Sequence, residues 1–203
     1  MILEAQHIGK NFDGRQVLAD LTFGVDAGEV VGLLGNNGAG KTTLLRIITA
    51  LMKPDSGSVL FDGHPLTHAD LSQIGYLPEE RGLYRHMAAG PQAVYLMRLK
   101  GLGRRKAVEV VRRQFEHFGI MEWWNRPVGR LSKGMQQKLQ YIVTVAHSPR
   151  LVILDEPFSG LDEPNAATLK AEVAALRAAG TAVILSTHNL QAAAELCDRT
   201  IRL

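Results

Sequence analysis

The chain has 203 residues, enough to bury a sizeable core in one domain, with or without an inserted subdomain. Its 23 Lys and Arg against 20 Asp and Glu leave a formal charge of +3, too mild to call for a nucleic-acid partner; the single Cys197 rules out an internal disulfide and fits a reducing cytoplasm. Apolar runs are strand-sized, well below the roughly 18 residues of a membrane span. The N-terminus shows no charged start leading through an apolar stretch to a small-residue cleavage site. The chain therefore reads as soluble or peripheral to a membrane.

Residues 2–8 and 17–25 alternate loosely on either side of Asn11-Phe12-Asp13-Gly14, a hairpin signal that predicts an antiparallel sheet. Residues 30–34 form an apolar run of buried-strand type. They lead into Gly35-Asn36-Asn37-Gly38-Ala39-Gly40-Lys41-Thr42-Thr43, which reads G-x-x-x-x-G-K-T, and on into Leu44-Leu45-Arg46-Ile47-Ile48 with helical spacing. Strand, glycine loop and helix in that order make an anion cradle: the glycines let successive backbone N–H groups turn inward, and the helix N-terminus adds its own. Lys41 then reaches the β- and γ-phosphate oxygens of a bound nucleotide, and the Thr42 hydroxyl can ligate Mg²⁺.

Lys53-Pro54-Asp55-Ser56-Gly57-Ser58 predicts a turn that ends this helix, residues 59–63 a short strand and turn, and residues 74–77 a strand stopped by Pro78. Across residues 84–130 helical spacing takes over, as in Val94, Met97 and Arg98 and then Val108, Val111, Phe115 and Phe118, which predicts an inserted helical subdomain. Its basic cluster of Lys100, Arg104, Arg105, Lys106, Arg112 and Arg113 reads as a solvated helix face. Trp123 and Trp124 are adjacent, so one is expected packed and the other partly exposed. Residues 151–156 and 181–186 are near-continuous apolar runs with polar ends, the pattern of buried parallel strands, with an Ala- and Leu-rich helix over 165–179 between them.

Ligands of an open parallel sheet sit at the carboxyl ends of its strands. Asp155-Glu156 closes one such strand and should lie beside the Gly35 loop, one acid serving Mg²⁺ and the next polarising the water that attacks the γ-phosphate. His188 follows the next strand and should reach the same rim as a donor.

Taken together these residues resemble the ATP-binding subunits of ABC transporters, over essentially the whole chain. The diagnostic element is Leu131-Ser132-Lys133-Gly134-Met135-Gln136-Gln137-Lys138, which looks like the family's signature sequence. The Walker B run 151–156, the D-loop Ser159-Gly160-Leu161-Asp162 and the switch histidine His188 follow in family order. The resemblance implies a P-loop NTPase of α/β class, with a mostly parallel core sheet, an N-terminal antiparallel β subdomain and the helical insert. The ATP-binding core would comprise 1–83 and 131–203, with 84–130 as the helical part.

The resemblance also implies roles. Phe12 would stack on adenine, as a ring face can without base-specific hydrogen bonds. Gly35, Asn36, Asn37, Gly38, Ala39, Gly40, Lys41, Thr42 and Thr43 would bind triphosphate, Asp155 and Thr42 would serve Mg²⁺, and Glu156 would be the general base. Ser132 and Gly134 would contact the γ-phosphate of a second copy, with Asp162 linking the two sites. Partners would be ATP, a second such domain in a homodimer or pseudo-symmetric dimer, and an integral membrane subunit that chooses the cargo; no nucleic acid is implied. The implied location is cytoplasmic, on the inner face of the inner membrane.

Three positions depart from the pattern. Glu79 stands where Gln is usual: a carboxylate can ligate Mg²⁺ but donates no hydrogen bond when ionised. Lys133 and Met135 replace Gly and Gln in the signature. Relatives continue beyond Arg202-Leu203, so a C-terminal accessory segment is expected to be missing. Leu-Pro-Glu-Glu-Arg-Gly-Leu-Tyr, Trp-Trp-Asn and the signature together look most like bacterial ATPases of the sodium-efflux type. Relatives acting on ribosomes usually carry two cassettes and those acting on DNA a long coiled coil, and this chain has neither feature.

Overall fold

The computed structural model describes residues 1–80 and 82–203; Arg81, in the Glu-Glu-Arg-Gly stretch quoted above, lies outside them. Two sheets carry the core. β1 (Leu3–Phe12) and β2 (Arg15–Val25) pair antiparallel, joined by Asp13-Gly14, with β4 (Ser56–Phe61) on the other side of β1 and the two-residue β5 (His64–Pro65) at the edge. The hairpin is longer than the alternation suggests because both turn residues have positive φ, 47° and 80°, the tight turn that lets pairing run to Phe12 and Arg15.

The second sheet is parallel, in the order β6 (Ile74–Leu77), β7 (Leu151–Asp155), β8 (Ala182–Thr187), β3 (Val30–Leu34), β9 (Arg199–Arg202). Every residue of β3, β7 and β8 is buried, which explains runs such as Val-Val-Gly-Leu-Leu that do not alternate: helices and the antiparallel sheet cover both faces. This strand order places the carboxyl ends of β6, β7, β8 and β3 side by side, and the register sets Asp155 opposite Ser186.

α1 (Lys41–Ile48) follows β3 and ends before the predicted turn, where Ala50 takes φ 56° and the Leu51 N–H donates to the Arg46 carbonyl at 2.8 Å; from Ser56 the predicted turn already belongs to β4. α2 (Ala89–Leu99) and α3 (Arg104–His117) build the helical part, where Ala93, Met97, Val111 and Phe115 form an apolar core. α4 (Lys133–Val145) is shared: Leu139 and Ile142 join that core, while Tyr141 and Val145 pack under β7 and β8. α5 (Glu163–Ala178) starts two residues before the predicted helix because the Asp162 carboxylate caps it, and α6 (Leu190–Leu196) is capped by Asn189.

Trp123 is packed and Trp124 half-exposed, edge-on to Phe115 and beneath the Arg112 guanidinium. Lys100 departs from the basic face expected of it. Its ammonium is tucked in and donates to the Leu71 and Ile74 carbonyls at 2.9 and 2.8 Å, tying the end of α2 to the start of β6, and burial lowers its pKa.

Candidate functional site

The glycine loop wraps the start of α1. Gly40 caps the helix with φ 101°, and a Cβ there would meet the Val17 carbonyl and side chain and Leu18 at 3.0 Å. Only glycine fits both the left-handed backbone and that close approach of β2. The same contact seats the β1–β2 hairpin against the loop, and Phe12 at the hairpin's end presents a ring that is 41% exposed, with the Lys10 ammonium 5.6 Å from its centre.

Inside the loop the Lys41 ammonium donates to the Gly35 carbonyl at 2.6 Å and stands 3.5 Å from Glu156 Oε1. Thr42 Oγ1 donates to Asp155 Oδ2 at 3.0 Å. Asp155 is only 1% exposed, and its other oxygen accepts from Ser186 Oγ at 2.6 Å. Ser186 Oγ in turn accepts from the Glu156 backbone N–H at 2.9 Å, so one hydroxyl fixes the side chain of the first acid and the backbone of the second. Glu156 holds a left-handed backbone, φ 47°, and its Oε2 lies 3.0 Å from His188 Nδ1. Its Oε1 is buried and has no hydrogen-bond partner among the described residues. Burial first, then the Asp155 carboxylate, pushes the Tyr76 phenol up to about 12, keeping it neutral beside the acid.

The predicted cluster of Lys41, Thr42, Asp155, Glu156 and His188 is thus gathered at one rim. Glu79 lines, with Thr42 and Asp155, a cavity of about 860 Å³, and with Glu156 and Lys133 a second one of about 510 Å³. Hard oxygen donors around Thr42 and Asp155 suit Mg²⁺, an ion bound through one or two carboxylates plus phosphate oxygens. Among the described residues, neither a soft ligand nor a histidine stands at that pair of oxygens in the hydrogen-bond pattern.

Ser132, Gly134 and Asp162 form a separate group. Ser132 caps α4, its hydroxyl accepting from Met135 N at 3.3 Å, and Gln136 Nε2 holds the preceding turn by donating to the Leu131 carbonyl at 2.9 Å. Asn165 donates to Asp162 Oδ1 at 2.6 Å, and its amide nitrogen would lie 2.9 Å from a Cβ on Gly134. Asn165 therefore joins the signature turn to the cap of α5, and a side chain at 134 would break that contact.

The family model described as ABC transporter matches residues 18–159, most of the site included. The chain belongs to the ABC transporter ATP-binding family. Its relatives include the uncharacterized ABC transporter ATP-binding protein YhaQ of Bacillus subtilis, 43% identical over 97% of this chain, of whose length the chain spans 66%, just under two thirds. NatA, an ABC transporter ATP-binding protein of the same organism, is 35% identical over 93% of the chain and 78% of its own length. A solved structure of the ATP binding subunit of an ABC transporter superposes with a TM-score of 0.91 at 31% identity, covering 100% of this chain and 86% of that one. The fold is that of P-loop NTPases, and the family is one of ATP-hydrolysing domains.

The sequence reading did not single out Ser186, Asn165, Gln137 and Gln140. The first could have been found by aligning the apolar runs of β7 and β8 as parallel neighbours, which sets Ser186 opposite Asp155. Gln137 donates to the Pro157 carbonyl at 3.1 Å, and Gln140 to the Pro78 carbonyl at 3.2 Å. Their signal is a pair of buried amides on one helix, 6% and 3% exposed, where apolar residues would ordinarily stand.

Proposed function

We propose that this ABC-family chain is the ATP-hydrolysing motor of a transporter: two copies, or one copy and a related domain, close on two Mg²⁺–ATP and drive a separate membrane subunit, in the direction of efflux. The observation that carries the reading is Glu156. One of its oxygens is braced by His188, and the other is buried beside the Lys41 ammonium with no hydrogen bond. A carboxylate so placed can take the proton of a water at the far end of a triphosphate held by residues 35–43.

In this mechanism the loop N–H groups and the α1 terminus hold the phosphates, and Lys41 neutralises the β and γ oxygens. Thr42, Asp155 and Glu79 would hold Mg²⁺, which supplies further charge neutralisation on those oxygens. Glu156 accepts a proton as the water oxygen bonds to the γ-phosphorus, whose bond to the ADP oxygen breaks. His188 keeps Glu156 aimed and has its second ring nitrogen left for the phosphate. Phe12 offers its face to the adenine. Ser132 and the α4 N-terminus supply donors to the second copy's γ-phosphate, with Asp162 communicating between the sites.

No helix among the described residues is long and apolar enough to cross a membrane. A membrane subunit would bind from the cytoplasmic side, in the groove of about 860 Å³ between core and helical part. Leu51 and Leu99 flank it, 67% and 64% exposed, and the exposed Glu79 and Glu80 also line it.

Glu156→Gln keeps the shape and removes the base. The expected outcome is ATP binding close to wild type, turnover lowered by about 10²- to 10⁴-fold, and an ATP-dependent dimer visible by light scattering. Turnover near wild type would remove Glu156 from the mechanism.

A further inference from the structure

The segment that carries Glu79 leaves the sheet at Pro78, so no strand neighbour fixes it. It is held from α4 instead. Gln140 Nε2 donates to the Pro78 carbonyl at 3.2 Å and to the Glu80 carbonyl at 3.5 Å, gripping the chain on both sides of residue 79. One turn on, Thr144 Oγ1 donates to the Gln140 carbonyl at 2.8 Å and reaches the Tyr76 carbonyl at 3.5 Å, which extends the same attachment back along β6.

Gln140 is 3% exposed, and its Oε1 is buried without a hydrogen-bond partner among the described residues. An amide kept in the interior with an unsatisfied acceptor costs stability that a leucine of similar volume would not. The return on that cost is therefore to be sought in what the amide holds.

We infer that Gln140 is a positioning residue for Glu79: it sets where the Glu79 carboxylate stands relative to Thr42 and Asp155, and through it how strongly the metal contributes to nucleotide binding. The inference rests on the reading of Glu79 as a metal ligand. It also ties two sites mechanically, because Ser132 caps the same helix that Gln140 occupies.

The test is a binding measurement, with no turnover required. The dissociation constant of a non-hydrolysable ATP analogue is measured in Mg²⁺ and in EDTA for wild type, E79A, Q140L and the double variant, and the constant in EDTA divided by that in Mg²⁺ reports the metal's contribution. E79A should reduce the ratio, and Q140L should reduce it about tenfold, the lower end of what loss of a partner that orients a metal ligand costs. The double variant should be no worse than E79A alone. Affinity in EDTA and the melting temperature should stay near wild type in Q140L; Q140M, unbranched like the native side chain, repeats the measurement if Q140L melts early. A wild-type ratio in Q140L, or an equal loss from Q140L in the E79A background, overturns the inference while leaving Glu79 as a ligand. A wild-type ratio in E79A overturns both.

Discussion

Asp155 and Glu156 are consecutive acids that need opposite treatment. The proposed metal-serving acid has to be held in one orientation, and the proposed base has to keep an oxygen free. Ser186 arranges both, donating to Asp155 Oδ1 and accepting from the Glu156 N–H. Ser186→Ala would leave a buried carboxylate oxygen short of a donor, at about 1–3 kcal/mol, and would let the Asp155 side chain turn. The expected outcome is a lower melting temperature and about a tenfold loss of Mg²⁺ dependence in nucleotide binding, measured in a magnesium titration. Unchanged values would mean that Thr42 alone orients Asp155. The acids and the histidine were legible in the sequence because their chemistry is unusual at strand ends, and the lysine because it belongs to a G-x-x-x-x-G-K-T loop between strand and helix. Ser186 was not, since a serine becomes informative only once the register of β8 against β7 is known.

The elements show a similar division. Apolar runs revealed β3, β7 and β8 because strands buried on both faces have nothing else to show, and their carboxyl ends had to carry the site. The spacing of α4 could not tell which neighbour each face would meet, so its double membership emerged only on folding. Lys100 was read as surface for the same reason: its stem reaches over the end of α2 to carbonyls that belong to another element. The groove between α1's end and α2 is likewise a product of assembly. Leu99 is too exposed to serve the core, so Leu99→Asp should leave melting temperature and nucleotide affinity unchanged. If a membrane subunit sits there, tagged wild-type protein captured from its own cells should bring down an integral membrane protein, and Leu99→Asp should lose it. Equal capture by both would place the partner elsewhere, and recovery of ribosomes would point to a different class of ABC protein.

At the scale of the whole molecule, Lys41 with Glu156 and Ser132 with Gly134 are built by different parts of the chain. The first pair hangs on the carboxyl ends of the parallel sheet, the second on the N-terminus of α4 and, through Asn165, on the cap of α5. A head-to-tail pair of chains would complete each site with the other's signature turn, and this can be tested by mixing damaged copies. Lys41→Ala leaves an intact signature, and Ser132→Arg leaves an intact phosphate loop while giving up only a helix cap worth about 1 kcal/mol. Each alone should be nearly inactive. Random pairing makes half of the dimers mixed, and each mixed dimer holds one whole site of two, so an equal mixture should recover up to about a quarter of wild-type turnover. A mixture no more active than its parents, under conditions where light scattering shows that dimers form, would mean that catalysis does not use the second copy's Ser132.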